Sequence, residues 1–157
     1  MSCEVAVVKV RNGYKTTEIG LIPEEWGIKP FSYHAQICHG KSQKDVESPN
    51  GKNPILGTGG VIGRTDSFLY DKPSVLIGRK GTIDRPMYID KPFWTVDTLF
   101  YTKIGSNTWP KWLYYFITSI DLRKYNEASG VPSLSASTVS AIPVPLPPLP
   151  EQQKIAE

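Results

Sequence analysis

The apolar positions of this chain fall into two regimes. Up to Ile104 they come in short bursts: Pro54-Ile55-Leu56, Val61-Ile62, Ser67-Phe68-Leu69-Tyr70, Ser74-Val75-Leu76-Ile77, Met87-Tyr88-Ile89, and the longest, Phe93 to Ile104. Gly, Pro and Asp separate the bursts, which predicts a meander of short strands. Gly78-Arg79-Lys80-Gly81 lies between two of them and reads as a tight turn carrying two adjacent cations. The stretch Pro30 to His39 fits either a helix or a strand, and Gly40 to Asn53 is polar enough to be a loop. The rhythm then changes. Trp112, Leu113, Phe116, Ile117 and Ile120 follow helical spacing across Pro110 to Leu122, with Pro110 suited to a first turn and Ser106-Asn107-Thr108 available as caps. Ser135 to Ser140 suits one more short helical turn. A β part followed by a helical part makes the fold class α+β.

The chain closes on a different pattern. Ile142-Pro143-Val144-Pro145-Leu146-Pro147-Pro148-Leu149-Pro150 must be extended, because each proline fixes φ and removes a backbone donor. Helix interior and central strand are both excluded. Glu151-Gln152-Gln153-Lys154-Ile155-Ala156-Glu157 follows with helix-forming composition, Pro150 as a start and Glu151 near the positive end of the dipole. That helix is only about two turns long, too short to hold by itself.

A length of 157 residues suits one domain with a real core. No apolar run approaches the roughly 20 residues of a membrane span. Cys3 to Val10 is too short and too charged for a secretory signal. Cys3 and Cys38 are the only cysteines, so a disulfide framework is not expected and the cytoplasm is the default compartment. A net charge of +3 permits a nucleic-acid partner without requiring one. Distribution says more. Lys41, Lys44, Lys52, Arg64, Lys72, Arg79, Lys80, Arg85 and Lys91 share one segment, but acids are interleaved with them, so any phosphate-binding face must be assembled by folding.

Arg79 and Lys80 are the sharpest candidates for chemistry. Arg suits bidentate reading of guanine and Lys suits a phosphate, while flanking glycines allow close approach. The competing reading is a solvated turn, or an Arg79 that pairs with Asp97 to hold the fold. Gly57-Thr58-Gly59-Gly60-Val61-Ile62-Gly63-Arg64 lacks the helix that a dinucleotide loop needs, so a hairpin between strands is expected, with Arg64 as a further phosphate contact. His34, Cys38 and His39 are too few for a zinc site, and Cys38 sits in an apolar stretch where thiols are inert. Asn53-Pro54-Ile55-Leu56 lacks the second proline and the aromatic of an adenine-methyltransferase motif. Trp94, Trp109, Trp112 and the tyrosines read as core.

Four stretches, in order, resemble the specificity (S) subunit of Type I restriction-modification enzymes. They are Tyr14 to Trp26; Val75 to Ile83 with Phe93 to Phe100; Ala128-Ser129-Gly130-Val131-Pro132-Ser133-Leu134-Ser135; and the strut with its helix, Ile142 to Glu157. The resemblance implies a single target-recognition domain at 14–141, a Pro-rich connector at 142–157 that opens a conserved spacer helix, and an extension at 1–13. It implies recognition of one half of a split DNA target without catalysis. Duplex DNA, methyltransferase subunits and, through them, the restriction subunit are the implied partners. The chain itself needs no cofactor, since S-adenosylmethionine serves the partner methyltransferase. Arg79, Lys80, Arg64, Lys41, Lys44 and Arg85 are the candidate DNA contacts. Glu151, Gln152, Gln153 and Ile155 are the candidate assembly residues. A fragment and a half-size S subunit both fit the single domain, and a homodimer is implied only where the spacer helix is complete. Two other functions remain open: a small Cys/His enzyme, and an interaction module that offers the proline strut as an extended ligand.

Overall fold

The computed structural model describes residues 13–157. Its first hairpin pairs β1 (Tyr14–Thr17) with β2 (Gly20–Pro23). β3 (Gly27–Pro30) follows, and the ambiguous apolar stretch then resolves into both alternatives: one helical turn, α1 (Phe31–His34), and a strand, β4 (Ala35–Cys38). Pro30 holds extended angles at the junction (φ −64°, ψ 156°), so the helix starts only after it. After the polar loop come β5 (Asn53–Gly57), β6 (Gly60–Thr65), β7 (Ser74–Gly78), β8 (Met87–Ile89), β9 (Trp94–Thr95) and β10 (Leu99–Ile104). The helical part holds α2 (Pro110–Ser119), a 3-10 turn at Leu122–Tyr125 and α3 (Ala136–Ser140). β11 (Pro143–Leu146) and α4 (Leu149–Ile155) complete the described chain. Cys3, the apolar segment from Cys3 to Val10 and nearly all of the expected extension lie outside the described residues.

Two apolar bursts differ from the expected strands. Ser67 to Tyr70 forms only an isolated bridge, Tyr70 to Phe93. The amide of Asn53 donates to the carbonyls of Asp66 and Ser67, and the Ser67 N–H is spent on the Thr65 hydroxyl, so this segment has few groups left for a ladder. Phe93 to Ile104 divides into β9 and β10 at a turn closed by Leu99 N–H to the Val96 carbonyl.

The strands do not simply pair with their sequence neighbours. A central sheet runs β4-β10-β7-β8, all antiparallel, and a small sheet runs β6-β5-β9, in which β5 and β9 are parallel. β7 is buried at every residue because both faces of the central sheet are covered. The period of two sorts its side chains. Val75 and Ile77, with Phe100 of β10, face a large cluster containing Phe31, Trp112, Leu113, Ile117 and Val139 from the helical side. Leu76, with Leu99 and Tyr101, faces Leu56, Ile89 and Phe93 on the side of the small sheet. The result is three layers: helices, central sheet, small sheet. Ser74 and Thr102 are buried polar residues inside it, and their hydroxyls bond each other's strand at 2.7–2.9 Å just where the β7–β10 backbone ladder ends.

The proline strut is extended, as its composition demands, and it is also docked. β11 pairs antiparallel with β3, from Pro143 opposite Pro30 to Leu146 opposite Gly27. Prolines at alternate positions put the missing donors on one edge and leave the N–H groups of Val144 and Leu146 for the other. Ile142, Val144 and Ala156 all belong to the main core cluster. The segment that its composition sets apart as a connector thus shares the core of the domain. With Val144 and Pro145 buried, it is not an open extended ligand, which removes the basis of the interaction-module reading.

Candidate nucleic-acid interface

The β5–β6 hairpin turns through Thr58 and Gly59, with Gly57 paired to Gly60. Gly60 has φ +120°, a conformation that favours glycine. The register shifts within the ladder, so Leu56 opposes Val61 while Ile55 opposes Gly63. Ile62 is the extra residue of a β-bulge. The bulge breaks the alternation, and two consecutive large apolar side chains stand outside: Val61 is 61% exposed and Ile62 54%. β6 is the edge of its sheet. The hairpin expected here is present, and a strand rather than a helix follows its glycines.

Gly78 to Gly81 is more than the expected tight turn. The segment runs between two neighbours and bonds both. Arg79 and Lys80 N–H groups donate to the Thr98 carbonyl at 2.8 and 3.3 Å; the Arg79 carbonyl accepts from Leu134 N–H at 2.8 Å; Gly81 N–H donates to the Pro132 carbonyl at 2.8 Å. Gly78 has a steric reason, since a Cβ there would stand 2.0 Å from the Thr82 carbonyl oxygen. The backbone is fixed while the side chains stay outside. Arg79 is half-buried and Lys80 exposed. Arg79 Nε donates to the backbone carbonyl of Asp97 at 2.7 Å, not to its carboxylate, so the ion pair of the competing reading is not formed.

Between the hairpin tip and the following loop lies an open groove of about 570 Å³, lined by Thr58, Gly59, Gly81, Thr82, Asp84, Arg85, Pro86 and Met87. Arg85 is exposed within it and Lys80 adjoins it. The other candidate cations lie elsewhere. Arg64 sits at the far end of the hairpin, about 13 Å from the tip at strand rise. Its Nε and Nη2 donate to the carbonyls of Gly51 and Lys52 at 3.0 and 2.9 Å, so it clamps the polar loop and has few donors left for a phosphate. Lys44 is exposed on that loop. Lys41 is exposed too, with its backbone pinned between Thr95 and the Trp94 indole. Of the candidate cations, Arg85 lines this groove and Lys80 adjoins it, while Arg79 is turned to Asp97 and Arg64 to the Gly51–Lys52 loop. Thr58, Thr82, Asp84, Val61 and Ile62 complete the surface without having been singled out from sequence. The one available signal was the consecutive Val61-Ile62 pair, which breaks strand alternation between glycines.

The four assembly candidates divide. Gln152 is fully buried: its Oε1 accepts from Trp109 N–H at 2.7 Å, and its Nε2 donates to the carbonyls of Pro147 at 2.8 Å and Asn107 at 3.3 Å. Glu151 accepts from the Trp26 indole at 2.6 Å. Both bind α4 to its own domain. Gln153 and Ile155 face outward. An open groove of about 440 Å³ lies beside Ile155, between α4 and the first hairpin.

His34 and Cys38 do not meet as a catalytic pair. His34 packs on Trp112 in the helical layer, with Nδ1 2.8 Å from the Thr108 hydroxyl and Nε2 buried without a partner. Burial lowers its pKa to about 4. Cys38 packs with the cluster under the small sheet, and burial raises its pKa, against a thiolate role. Among the described residues no three His, Cys, Asp or Glu converge as metal ligands, and no helix is long and apolar enough to cross a membrane.

An α+β unit with an open groove lined by Arg85 and Asp84 is the class that fold and surface define. A family model for the Type I restriction modification DNA specificity domain matches residues 23–157, and this chain belongs to that family. The S subunit of a Type I restriction-modification system from M. genitalium superposes with a TM-score of 0.72 at 20% identity, over 84% of this chain and 37% of that one. The HsdS subunit from Thermoanaerobacter tengcongensis superposes at 0.71 and 14% identity, over 99% and 41%. A chain from work on complex assembly and conformational transition of the type I R-M system also reaches 0.71, at 14% identity over 97% and 41%. These likenesses establish the fold. The chain spans about two-fifths of the length of the structures it matches. Among curated proteins none matches it.

Proposed function

We propose that this chain recognises duplex DNA as the specificity subunit, or a half of it, of a Type I restriction-modification enzyme. It catalyses nothing itself and directs adenine-methyltransferase and restriction subunits to one half of a split site. S-adenosylmethionine is the methyltransferase's cofactor. The cytoplasm is the compartment, and self-association requires a complete spacer helix.

The observation that carries this reading is the groove between the β5–β6 tip and the Gly78–Met87 segment. Arg85 lines it together with Asp84, Lys80 stands exposed one residue before its Gly81, and neither cation forms an ion pair among the described residues. The backbone of Arg79 and Lys80 is fixed by hydrogen bonds to Thr98 and Leu134, so less backbone entropy is lost there on binding. The face is open, which suits a duplex better than a small ligand. Helix α4, with Gln153 and Ile155 outward, belongs to the opposite layer, so DNA and protein partners need not compete. The test is titration of labelled duplex at low salt, alone and with the methyltransferase subunit. Binding that falls steeply with salt is expected, because phosphate neutralisation releases counterions. Absence of binding in both arms refutes the reading.

A further inference from the structure

We propose that the bulged ribbon Gly57–Arg64 enters the major groove and that Val61 and Ile62 seat against thymine 5-methyl groups, making them specificity-determining residues. The inference rests on the DNA-recognition reading above. The major groove admits a two-stranded β-ribbon. The tip of β5–β6 is such a ribbon: β9 pairs with β5 only at Ile55 and Leu56, Glu47 and Ser48 cover the β6 edge only at Arg64 and Thr65, and the turn at Thr58-Gly59 projects past the last pair.

The chemistry of the exposed strand narrows what it can read. Gly60-Val61-Ile62-Gly63 offers no side-chain donor or acceptor. The thymine methyl is the one apolar feature among the base edges of the major groove, so it is the group two neighbouring aliphatic side chains can select. An exposed apolar edge strand is ordinarily a liability that charges or prolines blunt. Here the bulge at Ile62 turns both residues outward instead.

Gly59 adds an independent point. It has neither a positive φ nor any atom within 4 Å of where a Cβ would sit. Nothing inside the domain demands glycine there, and the empty space suits close approach by a partner. The surrounding charge fits a duplex. Arg85 lines the groove beside the tip, and Lys80 is exposed one residue before the groove's Gly81. The Glu47 carboxylate lies beside Gly63, with Oε2 2.9 Å from the site of its absent Cβ. An acid at that flank repels phosphates and is compatible with base edges, where a cytosine amino group donates.

The experiment first enriches a preferred duplex from a random-sequence pool with the intact chain. Each thymine of that duplex is then replaced by deoxyuridine, which removes only the 5-methyl group. At one or two positions the affinity should fall about 3–5-fold, the value of one buried methyl. In the double variant Val61→Ala/Ile62→Ala that penalty should vanish, while salt-sensitive binding and the melting temperature persist. Deoxyuridine penalties of equal size in wild type and variant, or no penalty anywhere, overturn the inference while leaving DNA recognition standing. Loss of all duplex binding at low salt by the wild type overturns both. Capture of a protein through the ribbon, with no change in base preference on Val61→Ala/Ile62→Ala, also overturns it.

Discussion

The ribbon layer and the C-terminal layer treat similar side chains in opposite ways. Val61 and Val144 are both strand valines beside glycine or proline, yet one stands in solvent and the other is wholly buried. Arg79 keeps most of its donors free, whereas Gln152 spends its whole amide on Trp109, Asn107 and Pro147. The most distinctive wording in the chain, the strut and its helix, places Ile142, Val144 and Ala156 in the main core. The glycine-rich hairpin, far less distinctive, carries the surface left open. On the proposed DNA-recognition reading, a family motif locates a scaffold more readily than it locates a readout, which must vary with the target.

The comparison breaks most visibly at Gln152. Gln152→Leu keeps the volume but strands an N–H and two carbonyls, and should cost about 4 kcal/mol, or about 10 °C in Tm. A thermal melt that shifts by less than about 2 °C would contradict the clamp. Acidification comes next. His34 has a folded-state pKa near 4, below its ordinary value of 6.5, so between those values the unfolded chain binds more protons. Stability should be level above pH 6.5 and fall by about 3 kcal/mol as pH drops to 4. Denaturant titrations of wild type and His34→Phe across that window should diverge, with the variant's curve flatter; parallel curves would remove His34 as the cause.

A smaller effect separates the valines themselves. Val144→Ala should cost about 2 kcal/mol through lost burial and a small cavity, and Val61→Ala less than about 0.5 kcal/mol. Equal losses in chemical denaturation would erase the contrast between the layers. The smallest effect is expected on α4's outer face, where Gln153→Ala and Ile155→Ala should leave Tm within about 1 °C. A larger drop would mean that this face is also part of the core.

What was legible in the sequence follows the range of the physics. Prolines at 143 and 145 dictate an extended segment locally, and that segment is extended. Its docking on β3 depends on residues far upstream, so composition alone marked it only as an extended connector. The helical spacing of Trp112, Leu113 and Ile117 placed α2 and its buried face correctly, because periodicity is local. Phe93 to Ile104 read as one run, since apolar composition does not record the turn that splits β9 from β10. Among the candidate cations, residue type could not tell Arg64 from Arg85. One binds the carbonyls of Gly51 and Lys52, and the other lines an open groove. Gln152 read as an assembly residue alongside Gln153 and Ile155; only the donors and acceptors of Trp109, Asn107 and Pro147 around it explain its burial.

The central claim is the proposal that DNA lies against the groove lined by Arg85, with Arg79 and Lys80 on the segment leading into it. Its most direct measurement is the salt dependence of duplex affinity for wild type and for the triple variant Arg79→Ala/Lys80→Ala/Arg85→Ala. The plot of log affinity against log salt should lose about 2–3 units of slope in the variant, with Tm within about 3 °C of wild type. An unchanged slope, or an equal loss produced by Gln153→Ala/Ile155→Ala on the opposite layer, would contradict the account.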